Sequence, residues 1–121
     1  MPRLIKLRSI LAKGGSLTVI QDEVPFPIKR VFYIHGPGNT RRGEHRHKTT
    51  IQLAVSVGGS CVIDTNDGST QESWHLDAPD KLLLLEPNDW HVMHSFSPDA
   101  VLMVLASTTF DPDDYIYEPY P

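Results

Sequence analysis

The sequence is short of cysteine, of helical runs and of long apolar stretches, and each shortage narrows what the chain can be. Cys61 is the only cysteine among 121 residues, so no disulfide can form within the chain. It lies in the run Cys61-Val62-Ile63, which reads as buried packing rather than as a nucleophile. The longest apolar runs, residues 82–85 and 100–106, are far too short to span a bilayer. No apolar segment of secretion-signal length follows the basic residues of the N-terminus. The expectation is a soluble, cytoplasmic protein with no membrane partner.

Basic residues are also scarce, and their distribution matters. The formal net charge is −4, which argues against a nucleic-acid partner. Six of the eleven Lys and Arg residues (Lys29, Arg30, Arg41, Arg42, Arg46, Lys48) nonetheless fall between positions 29 and 48. Beyond Asp64 the only basic residue is Lys81. One basic patch on an acidic body suits a small anionic ligand better than a polyanion.

What is present is turn chemistry. Ten prolines and eight glycines break the chain into short alternating or apolar segments. Strands are expected at residues 4–7, 16–21, 30–35, 51–57, 60–65, 72–76, 81–86, 91–96 and 101–107. Asp67-Gly68 suits a tight hairpin. Asp111-Pro112-Asp113-Asp114 resembles an N-cap with proline at the first position, enough for a turn or two of helix. Its three aspartates read as a solvated turn. The chain is therefore all-β, a single domain over residues 1–121.

His45 and His47 stand two apart at what reads as the entry to a strand, so both should face one side. Flanked by Arg42 and Lys48, such a pair suits metal ligation or proton transfer. In the metal sites of cupins, which this His-x-His pair resembles, a glutamate follows several residues later, at a position taken here by the neutral Gln52. A later histidine ligand would have to be His91, one residue short of the usual spacing. Proton transfer fits better: an imidazole titrates near neutrality, and cationic neighbours favour its neutral, basic form. Tyr33 alternates with apolar neighbours and either reaches into the same cavity or packs in the core. Trp90 and His91 either line its mouth, where an indole stacks on flat rings, or serve structural roles. Cofactors are expected to be none, and metal none.

Several segments together resemble the nucleotide-sugar 3,4-ketoisomerase family. They are Pro25-Phe26-Pro27-Ile28-Lys29-Arg30-Val31-Phe32-Tyr33-Ile34, Arg42-Gly43-Glu44-His45-Arg46-His47-Lys48, Pro87-Asn88-Asp89-Trp90-His91 and Val101-Leu102-Met103-Val104-Leu105-Ala106-Ser107. The resemblance implies a small single-domain cupin, a double-stranded β-helix or jelly-roll barrel. It implies metal-free isomerisation of dTDP-4-keto-6-deoxy-D-glucose, the carbonyl moving from C4 to C3 through an enediol(ate). The family's place is in the biosynthesis of 3-amino-3,6-dideoxy sugars. It also implies a homodimer with N-terminal strands, about residues 1–21, exchanged. Carried over by motif, His45 and His47 are the catalytic pair, and Tyr33 and Arg42 hold sugar and diphosphate. Arg41, Lys48, Gln52, Trp90 and His91 complete the expected substrate site. Arg46 stands where the family commonly has alanine, and by alternation it points away from the cavity. A non-catalytic sugar-nucleotide-binding cupin and a metal-dependent cupin enzyme are the alternatives.

Overall fold

The computed structural model describes residues 1–121, the side chain of Ala12 excepted. Its strands are β1 (Arg3–Lys6), β2 (Arg8–Ala12), β3 (Gly15–Val19), β4 (Arg30–His35), β5 (Arg42–His47), β6 (Gln52–Gly58), β7 (Cys61–Asn66), β8 (Gln71–Leu76), β9 (Lys81–Leu85), β10 (Trp90–His94), β11 (Val101–Ala106) and β12 (Tyr115–Ile116). A 3₁₀ turn, Pro112–Asp114, precedes β12, and the Asp111 side chain caps it by accepting from the Asp113 amide at 3.0 Å. The hairpin expected at Asp67-Gly68 joins β7 to β8; Asp67 Oδ1 accepts from the amides of Ser69 (2.9 Å) and Thr70 (2.7 Å). No helix among the described residues is long and apolar enough to cross a membrane.

Ten strands form two five-stranded antiparallel sheets, ordered β1-β9-β6-β11-β4 and β12-β5-β10-β7-β8. This is the jelly-roll arrangement of a cupin. The remaining two, β2 and β3, pair only with each other. Apolar side chains of both sheets meet between them: Ala54, Leu83, Leu85, Leu102 and Val104 from one, Ile63, Leu76 and Met93 from the other. The alternate residues of the first sheet (Leu53, Val55, Leu82, Leu84, Leu105) form a second cluster, with Leu7, Ile20, Val24 and Phe26 packed against it. Buried on both faces, Leu53–Val55 of β6 and Leu82–Leu85 of β9 therefore read as continuous apolar runs rather than alternating ones.

Two differences from the expected strand layout follow from this pairing. The segment Arg42–His47 is a strand of its own, not the entry to β6. It offers no apolar alternation, and its extended form rests on backbone pairing to β10 and β12. The N-terminal region also divides: β1 pairs with β9 in the chain's own sheet, while β2 and β3 stand apart as a hairpin.

Leu83 is fully buried between the sheets. Leu83→Ala should lower the unfolding free energy by about 2–5 kcal/mol in urea titration, the range for a leucine lost from a tight core. A change below about 1 kcal/mol would mean that this cluster is loosely packed.

Candidate active site

β5 carries a bulge that sets the site. His45 opposes His91 and Gly43 opposes Val92, so Glu44 between them has no partner on β10. Gly43 and Glu44 both have positive φ, 85° and 59°. A Cβ on Gly43 would stand 2.9 Å from the His91 carbonyl oxygen, so only glycine permits this approach. The bulge ends before His45, and the strand alternation that puts His45 and His47 on one face is preserved.

Three histidines meet there. Ring centroids lie 5.0 Å apart for His45 and His47, 4.8 Å for His45 and His91, and 5.9 Å for His47 and His91. Each Nδ1 faces an oxygen that can only accept. That of His45 donates to the Gly43 carbonyl (2.9 Å), that of His91 to the Asp89 carbonyl (3.1 Å), and that of His47 to Asp114 Oδ2 (2.9 Å). In the neutral ring the proton therefore sits on Nδ1 and Nε2 keeps its lone pair. Nε2 of His47 and of His91 is buried with no hydrogen-bond partner. Three bare nitrogen bases converge on one space.

Burial holds these rings neutral. Desolvation, helped by the neighbouring His47, pushes His45 down to about 4. Desolvation, then His45, pushes the fully buried His91 down to about 3. His47 is also lowered, first by desolvation, but its hydrogen bond to Asp114 opposes the shift. Asp114 is partly desolvated, which favours its acid form. Hydrogen bonds from Thr50 Oγ1, from Thr49 Oγ1 and amide (both 2.8 Å), and from His47 outweigh this and hold it well below the usual carboxylate range. His47 thus has a fixed anion behind it, ready to stabilise an imidazolium.

The space itself is a cavity of about 170 Å³ lined by Phe32, Ile34, Arg42, Gly43, His45, Gln52, His91, Met93 and Tyr115. Gln52 is buried and its Oε1 has no partner. Tyr115 lies opposite His47 in the β12–β5 pair, its ring centroid 4.6 Å from that of His47 and 4.8 Å from that of His45. Arg30 Nη1 donates to the Tyr115 hydroxyl at 3.5 Å.

Of the residues expected here, His45, Arg42, Gln52 and His91 line the cavity, and His47 stands directly behind it. Trp90 lies in an adjoining open groove of about 610 Å³, with Gly43, Glu44, Tyr117 and Pro119. Tyr33 is not in the cavity. The run Val31-Phe32-Tyr33-Ile34 is apolar at both parities, and Phe32 and Ile34 face inward, leaving Tyr33 63% exposed on the opposite side. Arg41 is exposed and pairs with Glu44 (3.5 Å), and Lys48 is exposed beyond the end of β5; neither lines the cavity. Asp114 is buried rather than solvated, and with Tyr115 it is the main participant that sequence patterns do not reveal. An Asp-rich turn far along the chain from His47 carries no local signal of a partner. Cys61 is buried, and desolvation raises its thiol to about 11, as befits a packing residue.

A divalent ion would find donors in His45, His47 and His91, whose ligand atoms lie within 4.8 Å of one another. His91 joins the pair despite its short spacing. The donor set contributes no negative charge, however: Gln52 stands in the carboxylate's place and Arg42 lines the same cavity. These residues fit neutral base chemistry better than a cation.

Comparison with known proteins agrees with this geometry. Residues 1–120 match the family model described as FdtA: WxcM-like, C-terminal. A TDP-4-oxo-6-deoxy-α-D-glucose-3,4-oxoisomerase from Aneurinibacillus thermoaerophilus is 42% identical over 117 residues, 94% of this chain and 84% of that protein. The crystal structure of a TDP-quinovose 3,4-ketoisomerase from Campylobacter jejuni is 41% identical. It superposes with a TM-score of 0.92 over 97% of this chain and 92% of its own. A sugar 3,4-ketoisomerase from Thermoanaerobacterium thermosaccharolyticum, solved with TDP, is 36% identical, with a TM-score of 0.93 over 97% and 88%.

The neutral histidines have a consequence for stability. Below about pH 6.5 the unfolded chain protonates these imidazoles, while the folded protein resists until about 4 for His45 and about 3 for His91. Unfolding therefore takes up protons, and stability is fullest above pH 6.5 and falls with acid through that window. Asp114, lowered in the fold, adds a loss of the same sign at lower pH. The urea midpoint should be lower at pH 5 than at pH 7, and His91→Gln should shrink the difference. Equal midpoints would show that the rings are solvated.

Proposed function

The chain belongs to the FdtA, WxcM-like C-terminal family, and from that premise we propose that it is a sugar 3,4-ketoisomerase acting on dTDP-4-keto-6-deoxy-D-glucose. The observation that carries the reading is the cluster of three imidazoles, each with Nδ1–H fixed, of which His45 and His91 line a cavity that Arg42 also lines, while His47 stands behind them. His45, which lines the cavity, removes the proton on C3 of the sugar. Electrons of that C–H bond move toward the C4 carbonyl, giving an enediolate. His47, backed by Asp114, carries the oxygen protons, and reprotonation at C4 leaves the carbonyl on C3. Proton and electron pair both return to the sugar, so no oxidant and no metal enters the balance. Donors from Arg42 and the Tyr115 hydroxyl face the developing oxyanion. Arg42 also binds the diphosphate, and the groove of Trp90 and Tyr117 takes the flat base. A cytoplasmic setting agrees with the single, unpaired cysteine.

The test is incubation with dTDP-4-keto-6-deoxyglucose and a 3-aminotransferase, which should yield the 3-amino sugar. In heavy water the product should carry deuterium at C4. His45→Asn should cost roughly 10²–10⁴-fold in turnover while TDP still binds. Nucleotide binding without any turnover by the unaltered protein would instead indicate a non-catalytic sugar-nucleotide-binding protein.

We also propose a homodimer in which the N-terminal hairpin, β2–β3, adds to the partner's sheet. An isolated two-stranded ribbon is marginal in water, and this one exposes Ile10, Leu11 and Leu17, Leu11 to 86%. The partner's surface for it is β4, the open edge of the first sheet, with Val31 and Tyr33 exposed. Tyr33 then belongs to an interface rather than to the cavity. Sedimentation should give a dimer at micromolar concentration, and Leu11→Glu should shift it toward monomer. A fully active monomer would contradict this.

A further inference from the structure

Arg46 lies between the two histidines and its side chain has no part in their cavity. On the other face of β5 it meets Tyr120. The guanidinium carbon sits 4.2 Å from the Tyr120 ring centroid, and Nη1 donates to the Tyr120 hydroxyl. Nη1 is also 3.5 Å from Asn88 Oδ1. The Tyr120 hydroxyl in turn donates to the Asn88 carbonyl at 2.8 Å, and the Asn88 amide donates to the His47 carbonyl at 2.8 Å. One edge of the Tyr120 ring lies over Gly68, where a Cβ would come within 3.2 Å of it. Tyr120 is thus half-buried between an arginine and a bare turn, although residues 117–119 before it are exposed.

That contact matters because of what hangs between its two ends. The tail is held at Tyr115–Ile116 by pairing with β5 and again at Tyr120. Among the described residues no side-chain hydrogen bond or ion pair holds residues 117–119; the Tyr117 ring only stacks on Tyr115 and meets His45 edge-on, each at 6.0 Å between centroids. Yet Tyr117 and Pro119 are two of the five residues lining the groove beside the histidines.

We propose that Arg46 and Tyr120 are positioning residues, which clasp the tail so that Tyr117 and Pro119 stand ready against Trp90 for the nucleotide part of the substrate. This rests on the isomerase reading above and adds a determinant of substrate affinity to it. Fixing the wall in the free protein removes the ordering cost that binding would otherwise meet. The chemistry is held separately, since Asp114 is anchored by Thr49 and Thr50 upstream of the clasp.

The experiment is calorimetric titration with TDP, with steady-state kinetics, on the unaltered dimer and on Arg46→Ala, Tyr120→Ala, the double variant and Arg46→Lys. A desolvated cation–π contact predicts TDP affinity weaker by roughly 5- to 30-fold and KM raised in step, with kcat within about twofold. Tyr120→Ala, which also removes the bond to Asn88 and the cover over Gly68, should weaken binding at least as much as Arg46→Ala, and the double variant no further than Tyr120→Ala. Arg46→Lys should recover part of the loss, since an ammonium still faces the ring. A merely structural role would lower Tm and leave KM and TDP affinity unchanged, which overturns the proposal. So would losses that multiply in the double variant. Should Arg46→Ala not fold, Tyr120→Ala, in an otherwise exposed tail, decides the matter alone. An unaltered protein that neither binds TDP nor isomerises the sugar defeats the nucleotide reading, and this proposal with it. Binding and turnover intact in the unaltered protein but indifferent to both substitutions defeat the clasp alone.

Discussion

The Asp114 carboxylate is the tie on which the working end of this barrel depends. It accepts from His47, from both donors of Thr49 and from the hydroxyl of Thr50, so one buried group joins the end of β5, the turn after it and the 3₁₀ turn before β12. Removing it would leave these donors unsatisfied and His47 free to turn. Because the Pro112–Asp114 turn leads straight into β12, the same tie delivers Tyr115 to the imidazoles. The placement of the imidazoles and the path of the C-terminal segment are one arrangement.

Around that tie the cavity achieves polarity without much charge. Its bases are neutral because they are buried, and their tautomers are set by two main-chain carbonyls and one carboxylate. Among the described residues, the carboxylate that hydrogen-bonds one of them is Asp114, behind His47. Cationic groups stand nearby, Arg42 in the lining and Arg30 beside Tyr115, as the proposed chemistry of an enolate and a diphosphate requires. An uncharged base in a cavity that an arginine also lines is suited to proton abstraction beside a carbonyl.

How much of this is legible in the amino-acid sequence follows from the reach of each signal. Turn residues and alternation act locally, and they mark most strands, the Asp67-Gly68 hairpin and the capped turn at Asp111. The His45/His47 pairing is legible because period two is a local property too. Arg42–His47 escapes notice as a separate strand because none of its residues shows apolar alternation. Tyr33 invites the wrong face because Val31-Phe32-Tyr33-Ile34 is apolar at both parities, and the choice of face is made by what β4 packs against. Asp114 looks solvated in its acidic turn because its burial comes from partners at positions 47–50, a relation no local pattern contains.

The separation of 67 residues between His47 and Asp114 also bears on the order in which the molecule is made. During synthesis the N-terminal part is released first. β5 and β10, and with them all three imidazoles, leave the ribosome before the turn that carries the carboxylate. Until then His47 Nδ1 has no fixed acceptor and its ring no fixed orientation. Joining residues so far apart is a late, non-local event, costly in loop entropy and rewarded only when the sheets already stand in register. The His47–Asp114 pair therefore forms only once residue 114 has been made, so a chain arrested short of that turn carries all three imidazoles and still lacks the carboxylate placed to stabilise a charge on one of them.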